Sequence, residues 1–227
     1  MKDTALTLKL NHPTFQRPAF KSRVVPVIVI SHVDQAVPMA HALLEGGIDV
    51  MEITLRHSAG LAAIEAVAKQ VPQMQVGAGT LTRAAEMQQV KDAGARFALS
   101  PGMSEALVQA AMDCQLPFMP GVMTPSEVMQ ARDLGFGLMK LFPAAQAGGL
   151  GMLKALSGPL GDVQFCPTGG VTPENMTEFL KLPNVAMVGG SWLTPADAVA
   201  QGDWARITRL AQEAVAMSFS RFTIQAP

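Results

Sequence analysis

Three charged side chains stand inside apolar runs, and their types suit carbonyl chemistry. Lys140 lies in Gly137-Leu138-Met139-Lys140-Leu141-Phe142-Pro143, with apolar neighbours on both sides. Glu52 and Arg56 lie in Val50-Met51-Glu52-Ile53-Thr54-Leu55-Arg56, where polar residues alternate with apolar ones. A desolvated amine, uncharged part of the time, can attack a ketone and form a Schiff base. A carboxylic acid beside it serves carbinolamine dehydration and proton transfer. Plainer readings exist for both. A lysine near a strand end snorkels its ammonium to water. Alternation is also what a half-exposed strand with a solvated face shows. The choice depends on the elements that carry these residues.

Short apolar or β-branched runs recur at 24–30, 50–55, 75–80, 96–101, 117–122, 137–142, 163–168 and 185–191, with starts 20 to 26 residues apart. Alanine-rich stretches with helical periodicity lie between them, at 33–45, 61–69, 83–93, 105–113 and 126–133. Thr124-Pro125-Ser126-Glu127 and Thr172-Pro173-Glu174 carry helix-start signals, and Gly46-Gly47, Gly94 and Gly135 sit where helices should stop. Alternating strands and helices imply parallel pairing. Eight such units predict an α/β fold, the (β/α)8 TIM barrel, with a doubly wound open sheet as the competitor. A leucine-rich solenoid has a similar period, but its LxxLxL pattern is missing. No linker or composition shift marks a second domain, so one barrel is expected over 24–217. Residues 1–23 then form an N-terminal extension or helix, and 218–227 a C-terminal tail.

Parallel strands are covered on both faces and normally read as unbroken apolar runs. Within eight parallel units, Glu52, Thr54 and Arg56 therefore point inward, with Arg56 nearest the C-terminal mouth. The second and sixth strands lie opposite each other in a ring of eight and feed the same interior layer. Glu52 and Lys140 are expected to meet across the axis. The seventh run ends Cys166-Pro167-Thr168-Gly169-Gly170 and the eighth Val188-Gly189-Gly190-Ser191. Paired glycines let backbone N–H groups approach an anion, and the last two strand ends are the usual phosphate site of this barrel class. A single Gly-Gly pair is explained as well by a plain turn. Gly77-Ala78-Gly79-Thr80 ends the third run and offers a Thr hydroxyl to a substrate carboxylate.

The rest of the composition narrows the class. Charged residues are 15% of the chain, 17 Lys+Arg against 18 Asp+Glu, with a formal net charge of −1. That balance gives no electrostatic case for nucleic acid or an anionic membrane surface. Cys114 and Cys166 form neither a disulfide framework nor a zinc pattern. His12, His32, His41 and His57 lack metal-ligand spacing, so no metal is assigned. The 15 methionines fit core filling in an aromatic-poor interior. Residues 1–23 carry Lys2, Lys9, Arg17, Lys21 and Arg23 against Asp3 alone and lack a signal-peptide pattern. A cytoplasmic location is expected, with these residues a solvated extension or docking helix and a transit peptide as the alternative.

Taken in order, the motifs resemble one family. Val24-Val25-Pro26-Val27-Ile28, Glu52-Ile53-Thr54-Leu55-Arg56, Gly77-Ala78-Gly79-Thr80 and Ser100-Pro101-Gly102 are similar to the 2-keto-3-deoxy-6-phosphogluconate (KDPG) aldolases and their 4-hydroxy-2-oxoglutarate relatives. So are Lys140-Leu141-Phe142-Pro143-Ala144, Cys166-Pro167-Thr168-Gly169-Gly170 and Gly189-Gly190-Ser191-Trp192. The resemblance runs from about residue 24 to residue 215. Departures fall at Leu141 and Ala145, where Phe and Glu are common, and at His57, in place of a small polar residue. These bear on specificity rather than on the chemistry.

The resemblance implies a class I, metal-independent lyase of the Entner–Doudoroff pathway, built as a homotrimer. It would cleave a phosphorylated 2-keto-3-deoxy sugar acid to pyruvate and glyceraldehyde 3-phosphate. No cofactor is implied beyond a covalent Schiff base on the protein. By the same resemblance, Lys140 forms the imine and Glu52 is the general acid/base. Arg56 and Thr80 hold the pyruvate carboxylate, while Pro101 and Phe142 wall its pocket. Thr168 touches the substrate chain, and Gly169, Gly170, Gly189, Gly190 and Ser191 bind phosphate. Aldol chemistry on 4-hydroxy-2-oxoglutarate or on the 6-phosphogalactonate epimer is the near alternative, separated by comparing turnover on the three compounds. A phosphosugar isomerase or synthase would survive loss of Lys140. A non-catalytic metabolite sensor would bind without turnover.

Overall fold

The computed structural model describes residues 12–219. The apolar runs form strands β1 (Val24–Ile28), β2 (Val50–Thr54), β3 (Gln75–Gly79), β4 (Ala98–Leu99), β5 (Phe118–Met119), β6 (Gly121–Val122), β7 (Leu138–Leu141), β8 (Gln164–Pro167) and β9 (Val188–Gly190). The stretches between form helices α1 (Ala36–Glu45), α2 (Gly60–Gln70), α3 (Ala84–Asp92), α4 (Glu105–Cys114), α5 (Pro125–Leu134), α6 (Gly149–Ser157), α7 (Met176–Leu180), α8 (Ala196–Gln201) and α9 (Trp204–Phe219). Among the described residues, no helix is long and apolar enough to cross a membrane.

Every strand pairing is parallel. One sheet runs β5-β4-β3-β2-β1-β9 and a second runs β6-β7-β8. The expected fifth strand is thus divided at Pro120. Proline has no N–H to give to a ladder, and its carbonyl instead accepts the Lys140 N–H at 2.9 Å. On the far side, the parallel bridges Phe165↔Val185 and Thr168↔Gly189 connect the β8 and β9 segments. The architecture is an α/β fold with a curled parallel sheet.

Local chemistry explains most element ends. At the start of α5 the Thr124 hydroxyl accepts the Glu127 N–H at 3.3 Å, and Glu127 accepts from the N–H groups of Met123 and Thr124 at 2.7 and 2.8 Å. This reciprocal cap satisfies donors that a helix start otherwise leaves orphaned. The start expected at Thr172-Pro173-Glu174 falls later. Asn175 Oδ1 accepts the Thr172 N–H at 2.9 Å and holds a turn, so α7 begins only at Met176. Gly135 ends α5 at a φ of 114°, a conformation that a Cβ disfavours.

The N-terminal ends of the strands are filled by rings. Phe118 and Phe136 lie 5.8 Å apart edge-to-face, and Phe15 meets Phe136 at 4.8 Å. Phe20 covers Phe97 at 5.5 Å. Residues 12–23, expected in the extension, carry Phe15 and Phe20 across this floor. The buried Thr14 hydroxyl donates to the Ala111 carbonyl at 2.9 Å. Asp49 accepts the Lys21 N–H at 2.9 Å and the Ser22 hydroxyl at 2.6 Å. The expected segment 1–23 therefore falls partly outside the described residues, as does most of the expected tail 218–227, into which α9 extends as far as Phe219. Around the sheet, Met39, Met51, Met87, Met139 and Met176 are buried with the valines, leucines and isoleucines.

Candidate active site

Lys140 sits in β7 between Met139 and Leu141, both fully buried. Strand alternation turns those two away and aims Lys140 at the interior. Glu52 sits in β2 between the fully buried Met51 and Ile53 and points the same way. The structure brings the two together: Lys140 Nζ donates to Glu52 Oε1 at 3.0 Å. The lysine is 4% exposed and the glutamate 1%. Neither the snorkelled lysine nor the solvated strand face describes these residues. An ion pair this deep adds little stability over apolar packing of the same volume. Chemically, such a contact can set an amine nucleophile beside a proton acceptor.

Other expected residues surround the pair. The Phe142 ring centroid lies 5.3 Å from Lys140 Nζ, within cation–π distance. The peptide bond from Phe142 to Pro143 is cis. Cys166 is the register partner of Lys140 on β8. Burial pushes its thiol up to about 12, which removes it as a nucleophile near neutral pH. Thr168 is buried beyond it, donating to the Cys166 carbonyl at 3.3 Å. A Cβ on Gly189 would stand 2.2 Å from Thr168 Oγ1, so glycine at that position lets the two strands meet there. Pro101 is half-buried just past β4, where Ser100 Oγ donates to the Gly102 carbonyl and turns the chain.

Thr80 follows β3 with a φ of 64°, an uncommon region for a β-branched residue. Strain of this kind gathers at ligand sites. Arg56 lies past the end of its strand rather than on the strand's inward face. Strand β2 ends at Thr54, the Leu55 N–H makes the last bond to the Gly79 carbonyl at 2.9 Å, and the chain then turns. Arg56 is exposed in that turn, on the C-terminal side but beyond the strand. Thr54 gives its hydroxyl to the Ile28 carbonyl at 3.0 Å, a structural use.

The glycine loops flank this end. Gly169 and Gly170 both adopt positive φ, 92° and 84°. The loop is joined to the chain after β7 by the Ala144 N–H to Thr168 carbonyl bond at 2.8 Å and the Ala145 N–H to Gly169 carbonyl bond at 3.0 Å. Asn175 Nδ2 donates to the Gly170 carbonyl at 2.9 Å. Gly189 and Gly190 are buried at the end of β9, and Ser191 is exposed just beyond. Sequence reasoning missed Asn175, whose position three residues after Thr172 is a turn signal. It also missed Gly79 as a neighbour of Glu52, although glycine inside a strand often marks close approach.

A cavity of about 680 Å³ lies at the opposite end, lined by Phe20, Arg23, Asp49, Gln75 and Phe219 among others. Two of its charged groups, Arg23 and Asp49, are bonded to the chain around them. Arg23 donates to the Leu180 carbonyl at 3.0 Å, and Asp49 holds Lys21 and Ser22. It offers no reactive pair.

Comparison with known proteins gives the family. The family model for KDPG and KHG aldolase matches residues 17–210. A 2-dehydro-3-deoxy-phosphogluconate aldolase of Pseudoalteromonas atlantica is 51% identical over 85% of this chain and 90% of its own length. A KHG/KDPG aldolase of Escherichia coli is 50% identical over 85% of this chain and 90% of its own. Among solved structures, KDPG aldolase of Legionella pneumophila, with pyruvate captured as a covalent carbinolamine, superposes with a TM-score of 0.84 at 42% identity. It covers 91% of this chain and 98% of that one. The chain belongs to the KDPG and KHG aldolase family.

Proposed function

We propose that this chain is a class I aldolase that cleaves KDPG to pyruvate and glyceraldehyde 3-phosphate through a Schiff base on Lys140. The observation that carries this reading is the buried contact between Lys140 Nζ and Glu52 Oε1 at 3.0 Å. The Lys140 amine attacks the C2 ketone, and the carbinolamine loses water to give a protonated imine. Glu52 accepts the C4 hydroxyl proton. The C3–C4 bond breaks, its electron pair passes into the imine to form an enamine, and the aldehyde leaves. C3 is then reprotonated and water hydrolyses the imine, freeing pyruvate and Lys140. The imine is the electron sink, so this route uses neither a metal nor a cofactor.

Arg56 and Thr80 hold the pyruvate carboxylate in this reading. Pro101 and Phe142 wall the three-carbon unit, and Thr168 contacts the substrate chain. Gly169, Gly170, Gly189, Gly190 and Ser191 receive the phosphate, with positioning contributing much of the rate. We read the curled sheet as a closed (β/α)8 barrel over 24–217, flanked by residues 1–23 and 218–227. Continuity of β5 into β6 through Pro120 and the two bridges between the β8 and β9 segments support closure. A cytoplasmic homotrimer completes the proposal.

Cleavage of 4-hydroxy-2-oxoglutarate at the same pair is a second reading, favoured by the name of the Escherichia coli relative. Borohydride reduction with pyruvate, followed by peptide mapping, tests the common step. An adduct on Lys140 is expected. An adduct on Lys69, Lys91 or Lys154, or none, overturns the assignment. Turnover on the two substrates and on the galactonate epimer then ranks them.

A further inference from the structure

We infer that Gly79 is a positioning residue for Glu52: the absence of a side chain there keeps open the space in which the carboxylate faces Lys140. A Cβ built on Gly79 would stand 2.0 Å from Glu52 Oε1, 2.5 Å from its Cγ and 2.6 Å from its Cδ. Oε1 is the oxygen that accepts the Lys140 hydrogen bond. The overlap therefore covers most of one side chain, including the atom that touches the nucleophile.

The strand backbone is held in register, so the overlap falls on the Glu52 side chain. The Gly79 carbonyl accepts the Leu55 N–H at 2.9 Å, and its strand is in register with β2 through Thr54↔Gly79 and Glu52↔Gly77. Glu52 is 1% exposed on the inward face of β2, so the overlap would move its carboxylate off the Lys140 contact. The backbone itself makes no demand for glycine, since Gly79 is absent from the residues at positive φ. An alanine would fit the conformation and fail only on space. This separates Gly79 from Gly169 and Gly170, where φ alone favours glycine.

The catalytic half of the inference rests on the proposed role of Glu52 in proton transfer; the steric half does not. Gly79→Ala should lower both kcat and the rate of methyl hydrogen–deuterium exchange on pyruvate by about 10²-fold, the usual worth of a positioned acid/base. KM should stay within about threefold, because carboxylate and phosphate binding groups are untouched. Wild-type kcat in the variant, or a rise in KM with kcat intact, overturns the inference.

A thermal comparison covers the case in which the variant is too unstable for kinetics. Gly79→Ala is made in the wild-type and the Glu52→Ala backgrounds, and Tm is measured for all four proteins. The Tm loss caused by Gly79→Ala should vanish where Glu52 has been truncated, as expected for residues in contact. An equal loss in both backgrounds overturns the steric claim. If Glu52→Gln keeps full turnover, the proton-transfer reading of Glu52 falls and with it the kinetic half. The thermal cycle still decides whether Gly79 sets the carboxylate's position.

Discussion

At the N-terminal strand ends the interior is packed with Phe97, Phe118 and Phe136, whereas at the C-terminal ends it holds Glu52, Lys140 and Thr168. The floor is sealed further by Phe15 and Phe20 from the chain that precedes β1. Offset and edge-to-face rings bury large areas and favour particular geometries. The upper layer does the reverse. It buries a charged pair that adds little stability and carries a half-buried Thr80 at positive φ and glycines that leave out side chains. Rings at one end stabilise the sheet so that strained and charged groups can persist at the other. Substitutions at the floor should therefore change stability and leave chemistry, and those at the mouth should do the opposite.

The sharpest way to break that division is Lys140→Met. It should lower turnover by about 10³-fold or more, since the covalent route disappears, while circular dichroism and gel filtration report a folded protein. Residual turnover above a tenth of wild type would remove Lys140 from the chemistry. On the floor, Phe136→Ala should cost about 3–5 kcal/mol in urea unfolding, through lost burial and the cavity left behind. Its kcat below the unfolding transition should match wild type. A fall in kcat comparable to that of the mouth variant would show that the two ends are not separable.

Smaller effects refine the comparison. Ser191→Ala should weaken binding of the phosphorylated substrate roughly tenfold, the worth of one hydrogen bond to a charged group. Hydrogen–deuterium exchange on pyruvate, which has no phosphate, should be unaffected. Equal losses in both assays would remove Ser191 from the phosphate site.

The floor also contains a carboxylate. Burial pushes the Asp49 carboxyl up, but the Ser22 hydroxyl and the N–H groups of Lys21 and Ser22 outweigh it and hold it below its ordinary value of 3.8. A depressed carboxyl contributes stability above its unfolded value and loses it as pH falls through the folded one. Ser22→Ala should cost about 1 kcal/mol at neutral pH and shrink the acid-induced loss, as read from urea midpoints across the acid range. An unchanged acid slope would show that this anchor is unimportant.

Much of this was legible in the sequence because strands and helices announce themselves locally. The recurrence of apolar runs exposed Glu52 and Lys140 as polar intruders, and parallel alternation aimed both inward. Thr124 and Glu127 gave the start of α5 from adjacent residues. Arg56 was placed too deep because the end of β2 depends on where its bond to the Gly79 carbonyl stops, a long-range fact. The division at Pro120 and the late start of α7 likewise rest on partners outside the local pattern.

By itself the sequence determined the order of elements, the inward faces of the strands that carry Glu52 and Lys140, and the choice of these two as the candidate pair, since these follow from periodicity and residue type. Only the tertiary structure decided the 3.0 Å contact of Lys140 with Glu52 and the space that Gly79 leaves for it. Those depend on the curl of the sheet and the register between strands, which no local pattern encodes. A distance between residues 88 positions apart is set by how every intervening strand and helix packs.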